Sequence, residues 1–285
     1  MIEVRGQRSD CRGKNLIAEV RGSIAEVTAY ALQRWYLRNR FYLCNLTSDL
    51  SVSRRPVASM TKLSETKLLS PAFFNHDPRR VARALLGKLL VRKTPHGILA
   101  GRIVETEAYL GKGDDAAHAT AGKTARNFVL FGPPGFAYVY FIYGNHYCLN
   151  VSCLPDGVPG CVLFRALEPV AGIEQMARAR GIRVAEIGFR ASVLHDAEPR
   201  QAIDRKKLPG LRKISSGPGR MCEALGITRA RDNGKSLVSA RSDLQIVDDG
   251  YRVRRVLVGP RIGITKSAAH PLRYLIGGNP FVSRP

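Results

Sequence analysis

Residues 137–153 read AYVYFIYGNHYCLNVSC. Two runs rich in aromatic and branched side chains flank Gly144-Asn145, and that pair between strand-like runs signals a β-hairpin. Strand side chains alternate, so Tyr138 and Tyr140 share one face. Tyr143 falls on the opposite parity beside the turn. Working outward, residues 88–93 and 98–109 read as two strands around Thr94-Pro95-His96-Gly97. Residues 161–167 (CVLFRAL) form another strand, and 236–282 read as strands broken by Asp248-Asp249-Gly250 and Gly259-Pro260. Helices are fewer. Asp77 and Pro78 supply an N-cap and an N1 proline for RRVARALLGK, with Gly87 at its end. Gly172 leads into a helix over 173–180. Ser215-Ser216-Gly217-Pro218-Gly219 introduces a short one over 220–225, ended by Gly226. Strands outnumber helices and do not alternate regularly with them, which predicts an α+β fold rather than a doubly wound sheet. Residues 111–135 read as a long polar, glycine-rich loop, a kind that is usually functional inside a compact domain. Residues 181–213 read as a basic, poorly patterned connection.

Composition narrows the function. The chain has 285 residues, 45 Lys+Arg against 23 Asp+Glu, a net charge of +22, and 45% hydrophobic residues. That apolar fraction excludes wholesale disorder. No apolar run approaches the ~18 residues that cross a bilayer, and MIEVRGQRSD lacks the pattern of a secretory signal. Six cysteines without an export signal suggest reduced thiols inside a cell. The positive charge points to a polyanion, nucleic acid before a membrane surface. Residues 1–59 differ from the rest and carry 10 basic and 5 acidic residues. Within them, 23–35 could form a helix and 48–59 is linker-like. The expected organisation is an N-terminal extension over 1–59, flexible or arising from an upstream start codon, and one domain over 60–285.

Chemistry concentrates in a few places. Glu105, Glu107 and Tyr109 share a face of one strand, with His118 in the following loop. Carboxylates after the apolar Ile103-Val104 could sit where desolvation raises a pKa toward that of a useful base. A solvent-facing strand edge would produce the same spacing. Tyr143 at a hairpin tip could enter a base stack or belong to a cross-strand aromatic cluster. Arg165 lies between apolar neighbours and calls for an anionic partner, Glu107 or a phosphate, unless it faces water from an edge strand. Asn150 on the returning hairpin strand is equally ambiguous. Cys148, Cys153, Cys161 and His146 do not make a zinc site, because no close ligand pair is present. The stretch 178–220 holds 11 Lys/Arg and 4 Asp/Glu. Its Ser-Gly-Pro-Gly-Arg end suits a phosphate, or a solvated loop.

Several ordered motifs go further. RIVETEAYLG (102–111), AAH (116–118), TARN (124–127), YVYFIYGNHYCLN (138–150), CVLFRALEP (161–169) and SGPGRMCEAL (216–225) together resemble the alkyladenine (3-methyladenine) DNA glycosylase family. The resemblance covers about 68–283 and leaves 1–59 outside. It implies a single-domain α+β fold around a curved antiparallel β-sheet, with surrounding helices and a protruding hairpin. It implies flipping of alkylated purines of the 3-methyladenine and 7-methylguanine type, with hypoxanthine as a further candidate, out of double-stranded DNA. The N-glycosidic bond is then hydrolysed without metal or cofactor, leaving an abasic site. By the same resemblance Glu107 is the water-activating base and Arg165 helps place the water. Tyr109, Ala116, His118 and Tyr140 form the base pocket. Asn150 guards it against guanine's exocyclic amine, and Tyr143 fills the vacated space in the duplex. No lysine falls at a matched catalytic position, so water is the expected nucleophile. A monomer without membrane contact is expected, in cytoplasm and nucleoid if bacterial or in the nucleus if eukaryotic.

Overall fold

The computed structural model describes residues 66–187 and 208–284, all within one unit, Val57–Pro285. The helix expected over 23–35 and the linker over 48–59 lie outside the described residues. Six helices are described: α1 (Pro71–Phe74), α2 (Pro78–Leu85), α3 (Ile173–Ala179), α4 (Leu208–Ser215), α5 (Pro218–Ala224) and α6 (Arg229–Asp232). The strands are β1 (Lys67–Leu68), β2 (Leu89–Thr94), β3 (Gly97–Tyr109), β4 (Ala137–Ile142), β5 (His146–Ser152), β6 (Cys161–Ala171), β7 (Leu244–Asp248), β8 (Val256–Gly259) and β9 (Arg273–Ile276). They form one antiparallel sheet in the order β1-β7-β2-β3-β6-β5-β4. The expected α+β class holds.

The longest strand organises the rest. One edge of β3 is shared: its first half pairs with β2, while Glu105–Glu107 pair with β9, which carries β8 on its far side. The other edge pairs with β6. Two neighbours on one edge require the sheet to curl. Bulges add to the bend, as they do in twisted sheets. Between Ile103↔Leu167 and Glu105↔Ala166 the extra residue is Val104. Between Glu105↔Ala166 and Thr106↔Phe164 it is Arg165. A third shift, next to Gly101↔Pro169, accommodates a proline that cannot donate to the ladder.

The Val104 bulge decides which way the carboxylates face. Leu99 and Ile103 belong to the main core, and so do Val104 and Ala108. The core-facing parity therefore changes from odd to even at the bulge. Without that change Glu105 and Glu107 would point at the helices. Helix α2 covers this core with Val81, Ala82 and Leu85. Its Asp77 cap accepts from the Arg79 amide at 2.8 Å, as the sequence predicts. Leu86 rather than Gly87 is the C-cap, and Gly87 follows at φ 86°.

Other expectations shift. Strand β6 runs on through Glu168-Pro169 to Ala171, because the bulge absorbs the proline. The loop 111–135 contains a 3₁₀ turn at Phe128–Phe131. The connection 181–213 is partly helical, through a 3₁₀ turn at Val184–Ile187 and α4. The helix expected over 220–225 begins two residues earlier, at Pro218. The hairpin turn comprises 143–145, closed by Ile142↔His146, with positive φ at Tyr143 (55°) and Gly144 (70°). Tyr143 thus sits within the turn rather than beside it. No helix among the described residues is long and apolar enough to cross a membrane.

Candidate active site

A cavity of about 540 Å³ opens between the hairpin, β3, β6, the loop 111–118, the start of α5 and the segment 262–264. Its lining includes Tyr109, Ala116, His118, Tyr140, Tyr143, Asn150 and Arg165. Glu107 lies just behind the lining, with no exposed surface. The eight expected residues are therefore brought together, and the strand-edge reading of Glu105 and Glu107 is excluded, since both are fully buried.

Glu107 accepts from the Ile262 amide at 2.8 Å through Oε1 and from the Tyr109 hydroxyl at 3.0 Å through Oε2. Arg165 Nη1 stands 3.2 Å from Oε1. Burial raises the Glu107 pKa, opposed by the Arg165 charge and by the two hydrogen bonds, and assisted by the nearby Glu105 charge. An ionised carboxylate offers about four acceptor positions, of which three donors here occupy three. Glu105 differs. Arg165 Nε (3.1 Å), Arg273 Nε (2.7 Å) and Ser283 Oγ (3.0 Å) all reach its Oε1, and the Ser283 amide reaches Oε2 at 2.6 Å. Four donors, two of them from arginines, thus hold Glu105, against three on Glu107, one of them from arginine, so Glu107 is the less constrained of the two carboxylates.

Arg165 is the extra residue of its bulge, and bulges beside active sites commonly re-aim a side chain. Its guanidinium spans both carboxylates and reaches toward the Ile262 carbonyl (3.5 Å) and Ser283 (3.4 Å). The anionic partner that an arginine among apolar residues requires is thus a pair.

Aromatic rings line the other wall. His118 meets Tyr140 edge-on at 4.5 Å and Tyr138 at 5.9 Å. Its Nδ1 lies 2.9 Å from the Tyr138 hydroxyl. Burial pushes the Tyr138 pKa up to about 12, against a hydrogen bond from Arg126. Each tautomer of His118 fits its contact with Tyr138, because a phenol hydroxyl both donates and accepts. Burial and then the Arg126 charge lower the His118 pKa, favouring the neutral ring. Burial likewise raises the pKa values of Tyr109 and Tyr140, so both keep their hydroxyl protons. Asn150 is 3% exposed and donates to the Tyr138 carbonyl at 3.3 Å. Tyr143 is 79% exposed at the hairpin tip, which excludes membership of a core aromatic cluster.

Several contributors escape sequence reading. Asp114 and Arg261 form a buried bidentate pair (2.6 and 2.7 Å) joining the loop of Ala116 and His118 to the segment of Ile262. The Arg261 guanidinium also lies 4.5 Å from the Tyr109 ring centroid. The pair is separated by 147 positions, so no local pattern marks it. Gly219, at the start of α5, packs on His146 so closely that an added Cβ would stand 2.9 Å from the ring. Arg273 did carry a signal, since it sits between Leu272 and Tyr274 much as Arg165 sits between Phe164 and Ala166. The cysteines at 148, 153 and 161 are unpaired and buried.

Comparison with known proteins agrees with the geometry. A family model described as methylpurine-DNA glycosylase (MPG) matches residues 72–280. A curated relative from Koribacter versatilis is 59% identical over 223 residues, 78% of this chain and 96% of that protein. One from Burkholderia cenocepacia is 44% identical over 213 residues, 74% of this chain and 89% of its own length. One from Methanocella arvoryzae is 43% identical over 215 residues, 74% and 94% respectively. Each carries 3-methyladenine DNA glycosylase in its name. With most of its length matched in each comparison, the chain belongs to the methylpurine-DNA glycosylase family.

Proposed function

We propose that this base-excision repair glycosylase turns an alkylated purine of 3-methyladenine type out of duplex DNA into the cavity, where Glu107 activates the water that cleaves the N-glycosidic bond. The carrying observation is the contrast between two buried carboxylates. Glu105 is held by four donors, two of them from arginines, whereas Glu107 is held by three, one of them from arginine, lies directly behind the cavity lining and has a pKa raised by burial. A perturbed carboxyl in a cavity is the expected mark of a base.

A base inside a duplex is out of reach, so extrusion comes first and costs a few kcal/mol. Stacking on Tyr109, Tyr140 and His118 returns roughly 1–3 kcal/mol per base. Tyr143 fills the gap left in the stack. Purines alkylated at N3 or N7 are cationic, and tyrosine faces attract cations. With Nδ1 engaged by Tyr138, the other ring nitrogen of His118 is available to the base edge. Asn150 disfavours guanine's exocyclic amine, because a donor meeting a tethered amide leaves a buried polar group unpaired. Glu107 then takes a proton as the water oxygen bonds to C1′. The C1′–N bond breaks with its electron pair going to the purine, which cancels the purine's charge. Arg165 orients the carboxylate and the water. The leaving group is already activated by alkylation, so the reaction as read needs no metal or cofactor. Hypoxanthine lacks guanine's exocyclic amine, whereas 7-methylguanine keeps it, and excision of 7-methylguanine rests on its positive charge and activated leaving group. The protein acts as a monomer on DNA inside the cell.

Base release from methylated duplex DNA under single-turnover conditions in EDTA tests this reading. Release by the parent protein and at least ~10²-fold slower release by Glu107→Gln, with duplex binding kept, is the expected result. No release at all would leave a binding protein, and loss on chelation a metal-dependent hydrolase. Equal release by Glu107→Gln would remove the base assignment.

A further inference from the structure

We propose that Glu105 and Arg273 are positioning residues for excision, forming with Arg165 a row of alternating charges that sets how strongly Glu107 holds a proton. The inference rests on Glu107 as the base. It concerns two residues that meet neither substrate nor water.

The geometry carries it. Arg273 Nε donates to Glu105 at 2.7 Å, Arg165 Nε donates to the same oxygen at 3.1 Å, and Arg165 Nη1 stands 3.2 Å from Glu107. The order is cation, anion, cation, anion. Glu105 and Glu107 have no exposed surface, and Arg165 and Arg273 are each 7% exposed. In such surroundings charges act on one another far more strongly than in water. Strand pairing holds the row together, because Arg273 is the direct β9 partner of Glu107. Arg273 shares Glu105 and so leaves Arg165 available to Glu107. The arrangement asks more of Glu105 than packing, since an apolar residue would leave the Arg273 guanidinium buried without its carboxylate and Arg165 with Glu107 alone.

The groups facing Glu107 are few. They are Glu105 and Tyr109 on its own strand, Arg165 from β6, Cys148 from β5, Arg273 from β9, and Arg261 with the Ile262 amide from the segment after β8. Substitution at 105 or 273 leaves the rest in place, so the two changes act with opposite sign. Removing the Glu105 charge leaves two cations beside Glu107 and weakens its hold on a proton. Removing the Arg273 charge frees Glu105 to compete for Arg165, and Glu107 binds its proton more tightly. The Glu105 charge is indeed among the causes that raise the Glu107 pKa.

The experiment is single-turnover excision of 7-methylguanine from duplex DNA across the acid limb of the pH profile. A cationic leaving group needs no proton, so that limb reports the base. Glu105→Gln should move the limb to lower pH by roughly half a unit or more, and Arg273→Gln should move it to higher pH. Arg273→Lys, which keeps the charge, should restore the parental limb. Duplex affinity should stay within about threefold for all three, since none of these groups neutralises a phosphate. If Glu105→Gln does not fold, the Arg273 variants decide: a shift with Gln and none with Lys supports the row. Limbs that stay at the parental pH, or move in the same direction for 105 and 273, overturn it, whatever happens to the plateau rates. Glu107→Gln is run alongside. Full activity there overturns the base reading itself, a different outcome from an inactive Glu107→Gln with unmoved limbs at 105 and 273.

Discussion

Two buried arginine networks lie in this fold, and they treat their carboxylates in opposite ways. In the first, Arg165 and Arg273 serve Glu105 and Glu107 beneath the cavity. In the second, Arg92 on β2 donates to Asp232 at 2.8 Å and Asp243 at 3.0 Å, while Lys235 reaches both aspartates and Arg231 reaches Asp243. Burial pushes the Asp243 carboxyl up, but hydrogen bonds from Lys235 and Arg231 and the charges of Arg92 and Lys235 outweigh it and hold the pKa well below the usual range. At Glu107 burial wins and the pKa rises. The difference lies in the supply of cations. The second network has three cations for two aspartates, whereas the first shares two arginines between two carboxylates. A network with surplus cations holds Asp243 ionised and ties α6 and residues 235–243 to the sheet. A network in balance leaves one carboxylate able to exchange a proton.

The contrast can be broken most forcefully at Arg92. Arg92→Ala leaves Asp232 buried without its main partner and should cost roughly 3–5 kcal/mol of stability. Excision per folded molecule should stay the same, as thermal melting combined with active-site titration would show. A matching fall in specific activity would mean the two networks are coupled.

Glu107→Gln should do the reverse, with at least ~10²-fold slower excision and no loss of stability. The sign follows from linkage. A carboxyl whose folded pKa lies above its unfolded value opposes folding when ionised, and the opposition fades as pH falls through the folded value. At neutral pH the variant should therefore melt no lower than the parent. A clear drop in melting temperature would place Glu107 among the structural anions.

How much of this was legible beforehand depends on range. The hairpin, the Asp77 cap and the β2–β3 turn were readable because each is set by neighbours within a few positions. Parity put Glu105, Glu107 and Tyr109 on one face and Tyr138 with Tyr140 on another, and the family resemblance singled out Glu107, Tyr109 and Tyr140 among them. The change of parity at Val104 was hidden, since an extra residue in a strand leaves no mark in an apolar run. The donors that hold Glu105 more tightly than Glu107 come from 165, 262, 273 and 283, beyond any local pattern. The two-residue turn expected at Gly144-Asn145 missed because an aromatic residue is not expected at positive φ.

Tyr143 sharpens the contrast from a third direction, as an exposed side chain outside both networks. Tyr143→Ala should weaken base extrusion by about 1–3 kcal/mol, read with a fluorescent base analogue at the lesion. Phe should largely substitute, and the salt dependence of binding should barely change. Full extrusion by the alanine variant would discard the wedge role.

A smaller effect is expected at Asp243, whose side chain is 34% exposed. Its depressed pKa gives stability above the ordinary carboxylate value and loses it as pH falls through the folded one. Asp243→Asn should melt lower than the parent at neutral pH, with the gap closing in strong acid. A gap independent of pH would mean the network acts through packing alone. The smallest effect is expected from removing residues 1–59, which lie outside the family match. A chain beginning at Met60 should melt and excise like the parent, and a large fall in either would show that the extension belongs to the working domain.

Tyr143 has one further consequence, and it concerns engineering. Its φ of 55° is a conformation that costs an L residue roughly 1–2 kcal/mol and costs glycine almost nothing. A search for thermostable variants guided by backbone strain would choose position 143 early, and Tyr143→Gly would give a sturdier protein. On the wedge role proposed above, it would also remove the side chain that enters the duplex. Selection for heat resistance and selection for lesion search therefore pull this codon in opposite directions.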